Sequence, residues 1–511
     1  GYPSTAQSRN QEDNQKIIMA IASIIRKKFI MAAVTLIFGA AAVGLQAQET
    51  MPDGIDNSKL KYFPPLINQI GGSCAQASYI GYMFTYEMNR LLDRDASASK
   101  DNQFSYLYTW NFINGGQDEG SLGTEGLQIA FEGGIATEAD FPSQYSSYQF
   151  KWTTGYESYL KALHYRVSKI RTFEVIDRAG IDEVRRYLWN RGEPGRPGGI
   201  VTFSSRSSGW KINTNYTGPS VTGYKALLTQ LAPDGAHAMT IVGYDDLVEF
   251  TAPDGTLTKG AFIVCNTWGE NHFAHDRGRY YLPYYFWEQS DRTNSELSRD
   301  MCGTDVEYRE PKVVFRVKLN YTSRNDLSFR IGVSNKASDS MPVHDYLVPI
   351  ANYQGGDYPM QGSSGSSEIE FAFDFSSYVA NIHDSEEPKF FLTVNRNKRG
   401  RELGSGKMLA FSVYDYREDA SSPKVYVCKD IAGKEIKSGE NMFSIETVAA
   451  KTTSYSKVKW LNSSGQPAAA PLVLRTADGK YVKMRFSDYN RQDGTIKLKY
   501  VYAPDGSLKL E

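Results

Sequence analysis

The sequence contains few cysteines and carries almost no net charge. Its 511 residues contain only four cysteines, and 57 basic side chains nearly balance 58 acidic ones. A chain long enough for two or three domains does not depend on a disulfide framework when it has so few thiols. Because the net charge is only −1, no overall field recruits nucleic acid or an acidic membrane surface. The composition therefore excludes disulfide-rich small domains and strongly basic nucleic-acid binders.

One apolar run stands out near the beginning of the sequence. Arg26, Lys27 and Lys28 precede an apolar stretch that ends in small residues at Ala47. This layout is typical of a secretory signal peptide, and the run is short for the alternative, a transmembrane anchor. We expect residues 1–47 to form an upstream extension and a signal peptide cleaved near Ala47. The mature chain would then be a secreted or periplasmic bacterial protein with no membrane attachment.

The remaining sequence divides into three blocks. Residues 48–308 mix helical and strand patterns, whereas residues 309–430 alternate apolar and polar side chains between turns rich in Gly, Ser, Asn and Asp. Residues 431–511 form a second β-rich unit. We predict an α+β domain followed by one or two all-β domains of the sandwich type.

A cysteine follows a glycine-rich turn and directly precedes an apolar helical pattern. In FPPLINQIGGSCAQASYIGYMF this residue is Cys74. A helix N-terminus carries partial positive charge and free N–H groups, which favour the thiolate form of a cysteine placed there. Asn68 and Gln69, just upstream, each offer a side-chain amide that can donate to an oxyanion. A buried structural cysteine is the alternative interpretation of Cys74.

A histidine and an asparagine lie on two strand patterns that an Asp-Gly hairpin turn joins. His237 begins HAMTIVGYDD, and Asn266 follows the apolar run in GAFIVCNTW. Neighbouring strands would place the asparagine oxygen against one ring nitrogen, which directs the other nitrogen towards a thiol. Trp268 is positioned to cover this bond. The pattern predicts a catalytic set of Cys74, His237 and Asn266.

These motifs resemble the papain family of cysteine peptidases. NQIGGSCAQAS is similar to the region around the family's nucleophile, HAMTIVGYDD to its histidine strand, and IVCNTWG to its asparagine strand. The resemblance covers about residues 60–290 and implies a two-lobed, papain-like catalytic domain. It also implies that Cys74 is the nucleophile, that His237 is the general base, and that Asn266 orients the histidine. No metal and no organic cofactor is implied.

Two departures from the family pattern concern the site. Ala75 follows the nucleophile where the family normally has tryptophan. Asn68 stands at the family's spacing for its oxyanion glutamine, and Gln69 is one residue closer to Cys74. A one-residue deletion within IGGS would keep Gln69 in that role, which we favour, with Asn68 as the alternative.

A pair of histidines follows the asparagine motif. His272 and His275 have a spacing that suits a metal, but no cysteine or carboxylate cluster accompanies them. We therefore expect both on a surface loop near the cleft, without a metal.

The family resemblance implies hydrolysis of peptide bonds in protein or peptide substrates. An aminopeptidase or a transferase on the same scaffold is a second possibility, although a transferase triad usually ends in aspartate rather than in a residue such as Asn266. A third is a binding protein that keeps a decayed peptidase fold, which the altered cysteine motif allows.

The C-terminal β-rich blocks are expected to be accessory modules. They would bind protein or carbohydrate, with Tyr353 and Tyr358 as candidate exposed aromatic side chains or, equally, as core or turn residues. Cleavage near Ala47 would leave only a short segment before Cys74, where papain-type zymogens carry a long propeptide. We therefore expect inhibition before secretion to be absent or to come from these blocks.

Overall fold

The computed structural model describes most of the chain between residues 50 and 503. The described residues are 50–289, 296–353, 355–362, 365–384, 386–397 and 403–447, and the backbone of 472–475, 481–489 and 496–503. The predicted signal peptide at residues 1–47 lies outside them and stays a prediction. None of the helices in the described ranges combines the length and the apolar character that crossing a bilayer requires.

Helices and strands are mixed up to residue 308, and the described residues after that form strands joined by loops and short 3-10 helices. The helices are α1 (Cys74–Gln76, Ala77–Phe84 and Thr85–Leu92, without a break), α2 (Tyr106–Ile113), α3 (Gly123–Gly133), α4 (Tyr156–Ala162), α5 (Arg178–Asn190) and α6 (Tyr285–Glu288). The first nine strands are β1 (Gly54–Asp56), β2 (Tyr165–Glu174), β3 (Val201–Ser208), β4 (Lys211–Asn213), β5 (Leu227–Gln230), β6 (Asp234–Thr251), β7 (Leu257–Cys265), β8 (Arg279–Pro283) and β9 (Asp300–Tyr308). The later strands are β10 (Val313–Tyr321), β11 (Leu327–Ser334), β12 (His344–Leu347), β13 (Glu368–Asp374), β14 (Lys389–Arg396), β15 (Gly406–Asp415), β16 (Lys424–Val427), β17 (Gly439–Glu446), β18 (Leu472–Arg475), β19 (Tyr481–Tyr489) and β20 (Ile496–Ala503).

The helix α1 is buried along most of its length. Its middle part, Ala77–Phe84, has the π-helical hydrogen-bond pattern, and every residue of that part is buried. Such π segments are rare and occur frequently at functional sites. A helix that is apolar on all sides has to lie inside the protein, so α1 forms the centre of the α/β part.

A nine-stranded sheet packs against α1. Its strand order is β2-β9-β3-β6-β7-β8-β5-β4, with β1 paired to β6. The strands β6 and β7 form the predicted antiparallel hairpin, in which Thr240 pairs with Cys265. Gly255 in its turn has a positive φ of 88°, which a residue without a side chain adopts at little cost.

Two four-stranded antiparallel sheets follow, with the orders β13-β10-β15-β16 and β12-β11-β14-β17. Alternate residues of β10, from Val313 to Tyr321, are buried, as a strand with one face on a core requires. Phe315 of β10 meets Phe390 of β14 at 5.7 Å between ring centroids. The two sheets therefore pack face to face as a sandwich.

The strand β17 lies beyond the domain boundary predicted at residue 430. It pairs with β14 from Gly439 to Glu446 and completes the second sheet of the sandwich. A domain boundary after Glu446 agrees better with this pairing. A boundary at residue 430 would separate β17 from β14, the strand to which it is hydrogen-bonded. The strands β18, β19 and β20 form a separate antiparallel sheet.

The α/β part and the sandwich share one continuous apolar core. Across their seam, Arg166 of β2 donates to Asp374 of β13 at 2.5 Å, and both side chains are almost fully buried. Burial lowers the pKa of Arg166 to about 10, and the Asp374 carboxylate opposes this effect. Arg309 also donates to Asp374, at 3.1 Å, so it is Arg166 that depends most on the pair, since its buried cation would lose its bonded counter-charge without Asp374.

We expect Asp374→Asn to destabilise the whole chain. The substitution leaves the Arg166 guanidinium buried without its counter-charge, which costs about 3–5 kcal/mol of unfolding free energy, measurable by urea denaturation. Asp345→Asn is the matched control, because the Arg330–Asp345 pair has side chains 41% and 28% exposed. That variant should lose no more than about 1 kcal/mol. Equal losses in the two variants would contradict a special role for the seam pair.

Candidate active site

Cys74 is the first residue of α1. The turn before it is fixed by Ser73, whose hydroxyl donates to the Ile70 carbonyl at 2.7 Å, and by Gly71, which has a positive φ of 54°. Gly71 has no room for a side chain, since a Cβ there would lie 1.9 Å from a carboxylate oxygen of Asp118. The glycine-rich turn therefore holds the cysteine at a defined place on the helix.

His237 and Asn266 are joined by a short hydrogen bond. His237 lies on β6, and Asn266 directly follows the neighbouring strand β7, which brings the two side chains together. The histidine Nε2 lies 2.8 Å from Asn266 Oδ1, and the backbone N–H of Thr267 donates to the same oxygen at 2.7 Å. Because this atom accepts from a backbone donor, it is the amide oxygen, and Nε2 carries the hydrogen. The neutral ring then keeps its free lone pair on Nδ1.

Trp268 covers the histidine. Its ring stacks on His237 with a centroid distance of 4.6 Å and an angle of 22° between the ring planes. Trp210 packs in turn against Trp268, with 5.6 Å between the ring centroids. The predicted shield over the His237–Asn266 bond is thus present. Burial lowers the pKa of His237, and the hydrogen bond to Asn266 opposes this effect.

The packing of α1 on β6 brings Cys74 to the residue that follows His237. Ser78 Oγ donates to the Ala238 carbonyl at 3.0 Å, and Thr240 Oγ1 donates to the Ser78 carbonyl at 3.4 Å. The thiol of Cys74 faces the backbone N–H of Ala238, the residue that follows His237. Helix and strand therefore bring the predicted nucleophile next to the strand segment that carries the predicted base.

The electrostatics of Cys74 differ from the sequence-based expectation. The helix N-terminus was expected to favour the thiolate, but burial raises the pKa of the Cys74 thiol, and the backbone N–H groups of Ala238, Ala75 and Cys74 only partly oppose it. Burial also disfavours a charged His237. Burial therefore disfavours the charged form of each group taken alone.

Gln69 and Asn68 occupy different environments. The Gln69 amide donates to the Gly71 carbonyl at 2.8 Å, and its oxygen accepts from the Thr267 hydroxyl. Asn68 instead pairs with Trp268 through its backbone and lines a cavity of about 280 Å³ whose lining does not include Cys74. Gln69 thus lies on the turn that leads to Cys74, and its amide has a second N–H to donate. This placement favours Gln69 over Asn68 as an oxyanion donor.

His272 lies half-buried on the loop that follows Asn266. Its ring packs edge-on against Trp268 at 4.9 Å, and its buried Nε2 has no hydrogen-bond partner among the described residues. Burial and repulsion from His237 lower the pKa of His272 to about 4. His275 is exposed and bonds Asp276 at 2.9 Å. The described residues contain no group of three side chains suited to a metal.

The other three cysteines have different surroundings. Cys265 and Cys302 are buried, and burial raises their pKa to about 11 and about 12, respectively. Cys428 is partly exposed, and burial raises its pKa as well. All four cysteines are free thiols. Among them, Cys74 is distinguished by its position beside His237 rather than by an intrinsically acidic thiol.

A loop beside Cys74 was not predicted from the sequence. Between α2 and α3, Asp118 accepts a hydrogen bond from the Gly72 N–H at 2.7 Å. On the other side of Cys74, the Gln76 amide donates to the Leu122 carbonyl at 2.9 Å. The letters NGGQDEGSL indicate a turn but do not show which residues it touches, since these contacts are distant in sequence.

Lowering the pH should weaken the fold through His272. Its pKa of about 4 in the folded protein lies below the ordinary 6.5, so the unfolded chain binds this proton more readily. The contribution of His272 to stability is therefore present near pH 7 and is lost as the pH falls from about 6.5 towards about 4. His272→Gln should show a shallower fall of melting temperature over this range. Parallel curves for the variant and the wild type would contradict the assignment.

Comparisons with known proteins give distant similarities only. No family model matches the chain, and no curated protein matches it. Among solved structures, it is similar to xylellain, a cysteine protease from Xylella fastidiosa, with 17% identity, a TM-score of 0.34, and coverage of 50% of this chain and 87% of that one. The proform of the ragweed pollen cysteine protease Amb a 11 shows 15% identity, a TM-score of 0.33, and coverage of 51% and 67%. Bromelain from Ananas comosus, in complex with the E64 inhibitor, shows 14% identity, a TM-score of 0.32, and coverage of 50% and 99%.

Proposed function

We propose that this protein is a papain-like cysteine peptidase that hydrolyses peptide bonds in protein or peptide substrates. The observation that carries the proposal is the bond from His237 Nε2 to Asn266 Oδ1, at 2.8 Å, beside the thiol of Cys74. It leaves Nδ1 as the basic atom of the ring, and a nucleophile with an oriented base is what acyl transfer requires. A two-lobed catalytic domain is part of the same proposal.

The proposed reaction begins with proton transfer from Cys74 to His237. The thiolate attacks the carbonyl carbon of the substrate, and the tetrahedral oxyanion accepts hydrogen bonds from the Cys74 backbone N–H and the Gln69 amide. The imidazolium of His237 then protonates the leaving amine, and a thioester remains on Cys74. Water, activated by the neutral His237, hydrolyses this thioester and restores the thiol. Asn266 holds the ring in one orientation throughout.

The proposed setting is outside the cytoplasm of a bacterium. The basic residues followed by an apolar stretch ending at Ala47 support secretion of the chain into the periplasm or the medium. Protein or peptide substrates would be met there. The experiment that tests location is amino-terminal sequencing of the mature protein from culture fractions.

Covalent labelling tests the proposed nucleophile. We expect an epoxide or vinyl-sulfone thiol probe to modify the wild type at Cys74 and to leave Cys74→Ala unmodified. His237→Ala should react slower by about 10²–10⁴, the usual contribution of a general base. Cys428→Ala is the matched control, because Cys428 is a partly exposed thiol outside the site and its loss should change nothing. Mass spectrometry of the labelled protein identifies the modified residue.

Two outcomes of the labelling would count against the proposal. Equal labelling of His237→Ala and the wild type would show that the histidine does not activate the thiol. No labelling of the folded wild type would favour a decayed scaffold that binds peptides without cleaving them.

Loss of the orienting amide should reduce turnover more than binding. We expect Asn266→Ala to lower kcat by about 10-fold or more, which is part of the 10²–10⁴ that general-base catalysis supplies. Because the bond to Asn266 raises the pKa of His237, its loss should also move the alkaline limb of the rate profile to lower pH. Asn395→Ala, on β14, is the control for a general loss of stability. An unchanged profile would contradict the orienting role.

A further inference from the structure

The loop between α2 and α3 lies between the nucleophile and the β-sandwich. One end of this nucleophile loop, residues 114–122, begins at Asn114, whose side chain accepts from the Gly116 N–H at 2.8 Å. The other end reaches Leu122, where α3 is about to begin. The loop is therefore anchored at its base by the α/β part alone.

One side of the nucleophile loop contacts the residues that flank Cys74. Asp118 Oδ1 accepts from the Gly72 N–H at 2.7 Å, two residues before the nucleophile. Gln76, two residues after it, donates to the Leu122 carbonyl at 2.9 Å and to the Ser121 hydroxyl at 3.1 Å. A substrate attacked by Cys74 must pass beside this loop, because the loop is bonded on both sides of the nucleophile.

The opposite side of the nucleophile loop contacts the sandwich. The hydroxyl of Tyr358 donates to the Gly116 carbonyl at 2.8 Å. Gly116 has a positive φ of 76°, and a Cβ at this position would lie only 2.8 Å from the Cα of Gly356. The two backbones approach so closely that the position of one determines the position of the other. Tyr358 is thus a partly buried internal contact, which agrees with the expectation of a core or turn residue and not with that of an exposed aromatic side chain.

Arg324 fixes the sandwich segment that carries Tyr358. It is 1% exposed, donates to the Gly355 carbonyl through Nε at 3.0 Å, and donates to the Phe150 carbonyl of the α/β part at 2.8 Å. Its guanidinium stacks on Trp152 at 4.4 Å and on Tyr358 at 5.5 Å. Burial lowers the pKa of Arg324 to about 9. One buried cation therefore bonds both parts of the protein and holds Tyr358 in place.

We propose that Tyr358 is a positioning residue for the peptidase, which holds the nucleophile loop against the turn and the helix that carry Cys74. The sandwich is then a supporting wall of the substrate site rather than a detachable module or an inhibitor. This inference rests on the proposed function. It places the effect on substrate binding, because Tyr358 touches the loop and not the reacting atoms.

Kinetics of Tyr358→Phe test the inference with a change of one hydroxyl group. We expect KM for peptide substrates to rise by about 2- to 10-fold, the equivalent of one ordinary hydrogen bond, while kcat per titrated site stays unchanged. Tyr353→Phe is the matched control, since it removes a hydroxyl from a partly buried tyrosine nearby for which the structure shows no hydrogen bond to the nucleophile loop. The epoxide probe gives the concentration of reactive Cys74, and kcat is calculated from that concentration, so that misfolded protein does not lower it.

Three results overturn the inference. An unchanged KM in Tyr358→Phe, with an active wild type, shows that the hydroxyl does not position the loop. A loss of titrated sites and of melting temperature with KM unchanged shows a purely structural role. A wild type that neither cleaves peptides nor labels at Cys74 removes the proposed function itself, and the inference with it.

Gly116→Ala should raise KM further than Tyr358→Phe, because its Cβ would force the loop away from Gly356.

Discussion

The packing of the buried helix α1 against the long strand β6 is the constraint on which the site depends. The apolar residues of Ala77–Phe84 are buried on all sides, so the helix has no freedom to turn or slide without exposing them. Ser78 bonds the strand at Ala238, which fixes the helix along its axis. The beginning of the helix, and Cys74 with it, is thereby brought to the residue next to His237. The position of Cys74 beside β6 is a consequence of core packing rather than of local contacts between the Cys74 and His237 side chains.

Burial of the site makes the charged forms of Cys74 and His237 unfavourable. Neither a thiolate nor an imidazolium is favoured alone there, as the raised pKa of Cys74 and the lowered pKa of His237 show. Charge separation within one pair avoids leaving either ion uncompensated. A hydrogen bond to the neutral amide of Asn266 orients the ring without adding a third charge. A carboxylate in this position would hold the proton on the imidazole more strongly.

The sequence predicted the elements of the site better than their surroundings. The motifs around Cys74, His237 and Asn266 identified the hairpin and the helix because local patterns of apolar residues and turns determine them. The pKa of Cys74 was misjudged, because burial by distant residues outweighs the local effect of a helix end. The contact of His272 with Trp268 was not predicted for a similar reason, since only the folded chain shows it. The contact of Tyr358 with Gly116 joins residues 242 positions apart, which no local pattern encodes.

The absence of disulfide bonds among Cys74, Cys265, Cys302 and Cys428 affects how the protein tolerates redox conditions. Its fold is held by a continuous apolar core and by buried pairs such as Arg166–Asp374, none of which responds to a reductant. A small thiol can therefore reverse the oxidation of Cys74 to a sulfenic acid or a mixed disulfide without unfolding the chain. The oxidation state of Cys74 and the integrity of the fold are thus chemically independent, so a chain oxidised at Cys74 keeps its structure and regains the free thiol on reduction.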